Sequence, residues 1–185
     1  MKFPILETNR LILDEIVHED SKNLFELFSD DEVVEYYDLV TLAKIEEASN
    51  LITLFKKRFE DELGIRWGIR LKENGTFVGT CGFNAWKPKM RSSSVGYDIL
   101  RKYWRNGYAT EALNEIIKFG FSSNLPCGPL NRIQGDTVPG NMASEAVLSK
   151  LGFKEEGLLR ESSFWKDQYH DLKCFGLIKS EYSEI

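Results

Sequence analysis

Soft metal ligands are scarce in this chain, with three cysteines and two histidines among 185 residues. Cys81, Cys127 and Cys174 are odd in number, far apart and in no C-x-x-C pair, and His18 and His170 stand near opposite ends. That pattern argues against a disulfide frame and against a Cys/His zinc site, so no metal is expected and buried free thiols are the plain reading. Long apolar runs are also missing. Nothing approaches the roughly 20 residues that span a bilayer, and the opening MKFPILETNR has no apolar signal-peptide core. A cytoplasmic protein with no membrane partner is expected. Repeats, low-complexity tracts and linkers are absent too, which points to a single domain over residues 1–185.

An excess of positive charge is lacking as well. Asp and Glu outnumber Lys and Arg by 29 to 24, a net charge of −5, whereas binding by counterion release needs a broad basic surface. No nucleic-acid partner is expected, and cationic acceptors suit the charge better. What the chain does have is ordinary globular composition, 42% apolar and 29% charged.

Residues 10–16 read as a strand with Leu11 and Leu13 on one face. Leu24, Leu27 and Phe28 mark a helix over 20–28, and Ile45, Ala48, Ile52, Phe55 and Phe59 mark a longer one. The period then changes to two. Ile65, Trp67, Ile69 and Leu71 alternate, Glu73-Asn74-Gly75 turns the chain, and strands follow over 76–83 and 93–100, an antiparallel meander. From Ala109 the positions Ala112, Leu113, Ile116, Ile117 and Gly120 form one helical face, which Pro126, Gly128 and Pro129 end. A strand over 132–138, a short helix over 143–151 closed by Gly152, and late strands near 154–159 and 171–178 complete the chain.

Neither G-x-G-x-x-G nor G-x-x-x-x-G-K-[ST] occurs. A strand does run into Arg105-Asn106-Gly107-Tyr108-Ala109-Thr110 and then a helix, and helix-start amides are unpaired donors that favour an anion. On these residues alone the stretch reads equally as a phosphate cradle or as a plain strand-to-helix corner capped by Thr110. A nucleic-acid grip through Tyr103, Trp104 and Tyr108 is the lesser alternative.

VGYDILRKYWRNGYATEA (residues 95–112) and GNMASEAVLSKLGFKEEG (140–157) resemble the GCN5-related N-acetyltransferase superfamily, within it the branch that acetylates ribosomal-protein N-termini. ETNRLIL and NLFELFSDDEVVEYY resemble that branch's first strand and helix. The resemblance implies an α/β (α+β) fold, a mostly antiparallel mixed sheet splayed at its centre and flanked by helices, with acetyl-coenzyme A in the split. It further implies that backbone of Asp98, Ile99 and Leu100 pairs with the pantetheine. Amides from Arg105, Asn106, Gly107, Tyr108, Ala109 and Thr110 would hold the pyrophosphate, Asn141 would bond the pantetheine, and Ser144 would lie near the sulfur. Asn141 also reads as a helix N-cap.

The match has departures. Trp104 stands at the Gln/Arg position of [QR]-x-x-G-x-[GA], and Arg105 and Asn106 replace the branch's Gly and Lys. A superfamily tyrosine acid has no counterpart at Leu148 or Ser149, so Ser144 inherits the acid role. Ser163 stands where ribosomal relatives carry a glutamate base, which leaves Glu161 and Asp98 as candidates. The implied activity is acetyl transfer from acetyl-coenzyme A to a primary amine, foremost a protein N-terminus. A small-molecule acceptor (aminoglycoside, polyamine or amino acid) and a non-catalytic acyl-coenzyme A binder stay open, and homodimers are frequent in the family.

Overall fold

The computed structural model describes residues 2–122, 125 and 128–183. Pro126 and Cys127 lie outside the described residues. The strands are β1 (Leu6–Glu7), β2 (Leu11–Glu15), β3 (Ile65–Leu71), β4 (Phe77–Lys87), β5 (Ser92–Ile99), β6 (Arg132–Thr137), β7 (Lys154–Trp165) and β8 (Gln168–Ile178). The helices are α1 (Ser21–Phe28), α2 (Ile45–Glu60), α3 (Tyr108–Ser122) and α4 (Met142–Lys150). All the strands join one eight-stranded sheet in the order β1-β2-β3-β4-β5-β6-β8-β7.

The expected meander is present, with β2, β3, β4 and β5 pairing antiparallel in succession. Both sheet faces at its centre are covered, so Ile65–Ile69 is buried without a break, as a strand between two helical layers must be. On one face Ala112, Leu113, Ile116 and Ile117 of α3 join Trp67, Phe83 and Ile133 in the larger core. On the other, Leu24, Leu27 and Phe28 of α1 and Ala48 and Ile52 of α2 pack with Ile16, Phe77 and Leu100. No described helix is long and apolar enough to cross a membrane.

One junction differs from every other in the sheet. Strands β5 and β6 run parallel and touch only at Ser92↔Arg132, Ser93↔Ile133 and Ser94↔Gln134. Beyond Ser94 they part, so Val95–Ile99 has a partner only on the β4 side while β6 stays with β8 through Thr137. The central splay is therefore real, and its vertex lies at Ser94.

The last two strands are longer than the sequence suggests. β7 and β8 form a hairpin in which Lys154–Ser162 of β7 is exposed throughout, and Ser163, Trp165 and His170 near the tip are half-buried. Arg160, Glu161 and Ser162 bulge out opposite Asp171, and the hairpin tip reaches back over the sheet, where Lys166 Nζ donates to the Val34 carbonyl at 2.6 Å.

Candidate active site

The cradle begins where β5 ends. A 3-10 turn over Arg101–Tyr103 folds the chain back, and the Trp104 indole N–H donates to the Ile99 carbonyl at 2.7 Å. The Asn106 amide donates to the carbonyls of Tyr103 (3.1 Å) and Trp104 (3.0 Å), which locks the loop from inside. Among the described residues the backbone N–H groups of Arg105, Asn106 and Gly107 have no carbonyl partner. The first amides of α3 have none a turn earlier. The result is a row of backbone donors at the positive end of a 15-residue helix, suited to an anion of several oxygens.

Backbone angles carry the same message. Gly107 has φ +79° and Arg105 φ +63°. Arg105 thus adopts the left-handed conformation that glycine takes most readily, at a cost of about 1–2 kcal/mol.

Sequence reasoning missed what holds this loop in place. Glu111, in the first turn of α3, accepts from Thr8 Oγ1 (2.6 Å), Arg10 N–H (2.9 Å) and Arg10 Nε (2.7 Å). Arg10 Nη2 also donates to the Asn106 carbonyl at 3.1 Å, and the guanidinium lies 4.7 Å from the centre of the Tyr108 ring. Burial pushes the Glu111 pKa up, but these hydrogen bonds outweigh it and hold the carboxyl below its ordinary value. The only available signal was the ETNRL stretch, which local patterning reads merely as a strand.

Across the split stands the start of α4. Asn141 is its N-cap, with Oδ1 accepting from the Ser144 N–H at 3.2 Å. The cap uses the oxygen of the carboxamide and leaves its NH2 free, so the capping and ligand roles are compatible. At the other end Gly152 follows the helix with φ +85°, and the Phe153 N–H closes on the Leu148 carbonyl at 3.1 Å. Tyr97 of β5 spans the split, its hydroxyl donating to the Ser144 carbonyl at 3.5 Å. Burial pushes the Tyr97 pKa up to about 12, so the group is a donor near neutrality. Ser144 is half-buried.

The three catalytic candidates are not brought together. Asp98 points to the opposite face of β5, buried with 5% of its side chain exposed, where it pairs with Arg66 and accepts from Thr80 Oγ1 at 3.3 Å. Burial raises the Asp98 pKa against the pull of Arg66 and of the Thr80 hydroxyl. Glu161 is exposed in the β7 bulge with φ +49°, its N–H donating to Asp171 Oδ1 at 2.8 Å. Strand alternation therefore does not decide where it faces.

Residues 10–154 match the family described as Acetyltransferase (GNAT) domain. The chain belongs to the GNAT acetyltransferases. The N-acetyltransferase YoaA of Bacillus subtilis (strain 168) is 38% identical over 177 residues, covering 96% of this chain and 98% of that one. Among solved structures, the microcin C7 self-immunity acetyltransferase MccE, bound to acetyl-CoA and AMP, superposes with a TM-score of 0.80 at 17% identity, covering 92% and 93% of the two chains. RimL, a ribosomal L7/L12 α-N-protein acetyltransferase in complex with coenzyme A, gives 0.82 at 18% identity over 95% and 98%. These two share the fold, and one is named for self-immunity, the other for acetylating a ribosomal protein.

As a GNAT protein the chain is an acetyl-coenzyme A-dependent N-acetyltransferase. Its own residues fit that cosubstrate. The parted strands leave the β5 backbone free to pair with an extended chain, the Arg105–Gly107 amides are unfilled, and the Asn141 NH2 is available. The cosubstrate brings an activated acetyl group, and the protein supplies position and field.

Proposed function

We propose that the acceptor is the N-terminal α-amine of a protein, a ribosomal protein being the instance the resemblance suggests. One observation carries this reading: neither carboxylate singled out in the sequence stands ready as a strong base, since Asp98 is committed to Arg66 and Thr80 and Glu161 lies in an exposed bulge. An amine that is partly neutral on its own is then favoured. With a pKa of about 7.8 an α-amine is roughly 14% neutral at pH 7, and a lysine at about 10.4 is roughly 0.04% neutral. The gap, about 3.5 kcal/mol, belongs to the acceptors and persists whichever weak base removes the proton.

The remaining roles follow from placement. Amides of residues 105–110 hold the pyrophosphate, Asn141 Nδ2 and the β5 backbone position the pantetheine, and N–H groups near Ile99 stabilise charge on the carbonyl oxygen. Ser144 hands a proton to the departing thiolate. The test compares a short peptide with a free α-amine against the same peptide blocked at its N-terminus and carrying lysine. At pH 7 the free α-amine should react faster, and the preference should shrink toward pH 9.5 as lysine gains neutral amine. Faster reaction of the blocked lysine peptide, or of an aminoglycoside, overturns the reading.

A further inference from the structure

On the face of the sheet away from α3, the α1–α2 connection and α2 enclose a pocket of about 370 Å³ against β3 and β4. Phe28, Leu39, Leu51, Leu54 and Phe55 supply most of its wall. Its two cations are already engaged. Arg66 is held by Asp98, and the Arg58 guanidinium donates to the Asn84 carbonyl. Asp38 also lines it, and among the described residues this carboxylate has no hydrogen-bond or ion-pair partner. Tyr37, beside it, is pushed up to about 12 chiefly by burial.

The inner end of the pocket reaches the split. Asn84 is the extra residue of a β4 bulge, between the pairs Phe83↔Val95 and Ala85↔Ser94. Its carboxamide lies across Gly96, where an added Cβ would stand 2.6 Å from Asn84 Nδ2 and 3.1 Å from Arg66 Nη1. Gly96 is two residues beyond the vertex at Ser94. A cosubstrate anchored by its pyrophosphate past the far end of β5 and running back along that strand brings its acyl end toward this vertex.

Building on the N-terminal reading, we infer that this pocket receives the acceptor's first residue, takes an apolar or aromatic side chain, and uses Asp38 to accept hydrogen bonds from the amine. The side chain lies against Phe28, Leu51 and Phe55. A polyamine or aminoglycoside would place its further ammonium groups beside Arg58 and Arg66 with one free carboxylate to offset them. An acidic first residue would bury a carboxylate among apolar groups with both guanidiniums engaged.

Peptide amides identical except for a first residue of Phe, Leu, Ser or Asp, together with spermine, test this on the full chain with acetyl-coenzyme A. Phe and Leu should exceed Ser and Asp by about tenfold or more in kcat/KM, the discrimination an apolar pocket gives. Leu54→Glu, at a half-exposed position of α2, should erase that preference. Asp38→Asn should raise the peptide KM about tenfold with acetyl-coenzyme A affinity unchanged. Equal rates for all four peptides, or a Ser or Asp preference, overturn the pocket assignment and leave the N-terminal reading standing. Acetylation of spermine with none of the peptides overturns the N-terminal reading itself.

Discussion

The two faces of the sheet offer a ligand different means of recognition. On the α3 side the work is done by backbone: free amides, two left-handed residues and a helix end, with Arg10 and Glu111 bracing the loop from behind. On the α2 side it falls to side chains, an apolar wall floored by the Arg66–Asp98 pair and edged by Asp38. Recognition by backbone depends less on side-chain identity than recognition by side chains, so substitutions should change the α2-side pocket more readily than the amide row.

The largest break in this contrast should come from Arg66→Ala. It strands the Asp98 carboxylate in a site where both side chains are 5% exposed. A loss of about 3–5 kcal/mol is expected in urea unfolding, whereas a loss under 1 kcal/mol would mean that water reaches the pair. Gly107→Glu attacks the other face. Bulk and like charge on the cradle should weaken acetyl-coenzyme A binding at least tenfold in calorimetry, about 1.4 kcal/mol, with the fold intact. Unchanged affinity would remove the pyrophosphate from this loop.

Glu111 sharpens the comparison by pH. Its folded pKa is lowered, so its contribution is present above the ordinary value of 4.5 and is lost as pH falls through the folded pKa. Wild type should therefore lose about 1 kcal/mol more than Glu111→Gln on acidification below pH 4.5. Parallel profiles would mean that the bracing bonds do not depend on its charge. The smallest effect belongs to Arg105→Gly. Relief of a positive φ is offset by the greater freedom of glycine in the unfolded chain, which leaves stability within about 1 kcal/mol. Acetyl-coenzyme A affinity should stay within threefold. A tenfold loss would assign the Arg105 charge a direct part in holding phosphate.

The elements from β2 to α4 were legible because their apolar residues keep a period of two or of about 3.6 in the sequence. β1 is two residues long and gave no pattern. In β7 the bulge at Arg160–Ser162 breaks the alternation after Leu159, although pairing continues to Trp165↔Gln168. In the site, the cradle was readable because its amides come from consecutive residues. Asp98 illustrates the converse. Its place in the chain suggested a base beside the thioester, but Arg66, 32 residues away, pairs with its carboxylate, which no local pattern shows. Asn84 and Gly96 meet through a bulge, which no local pattern announces.

The brace on the cradle also sets an order of events during synthesis. Thr8 and Arg10 emerge early, yet their partner Glu111 lies 101 residues beyond Arg10. At ~5–20 residues per second the first strand waits roughly 5–20 s before that carboxylate exists. Until then Thr8 and Arg10 lack the carboxylate that braces the loop proposed to hold the cosubstrate. A nascent chain of this protein becomes able to hold acetyl-coenzyme A late, after most of its length has been made.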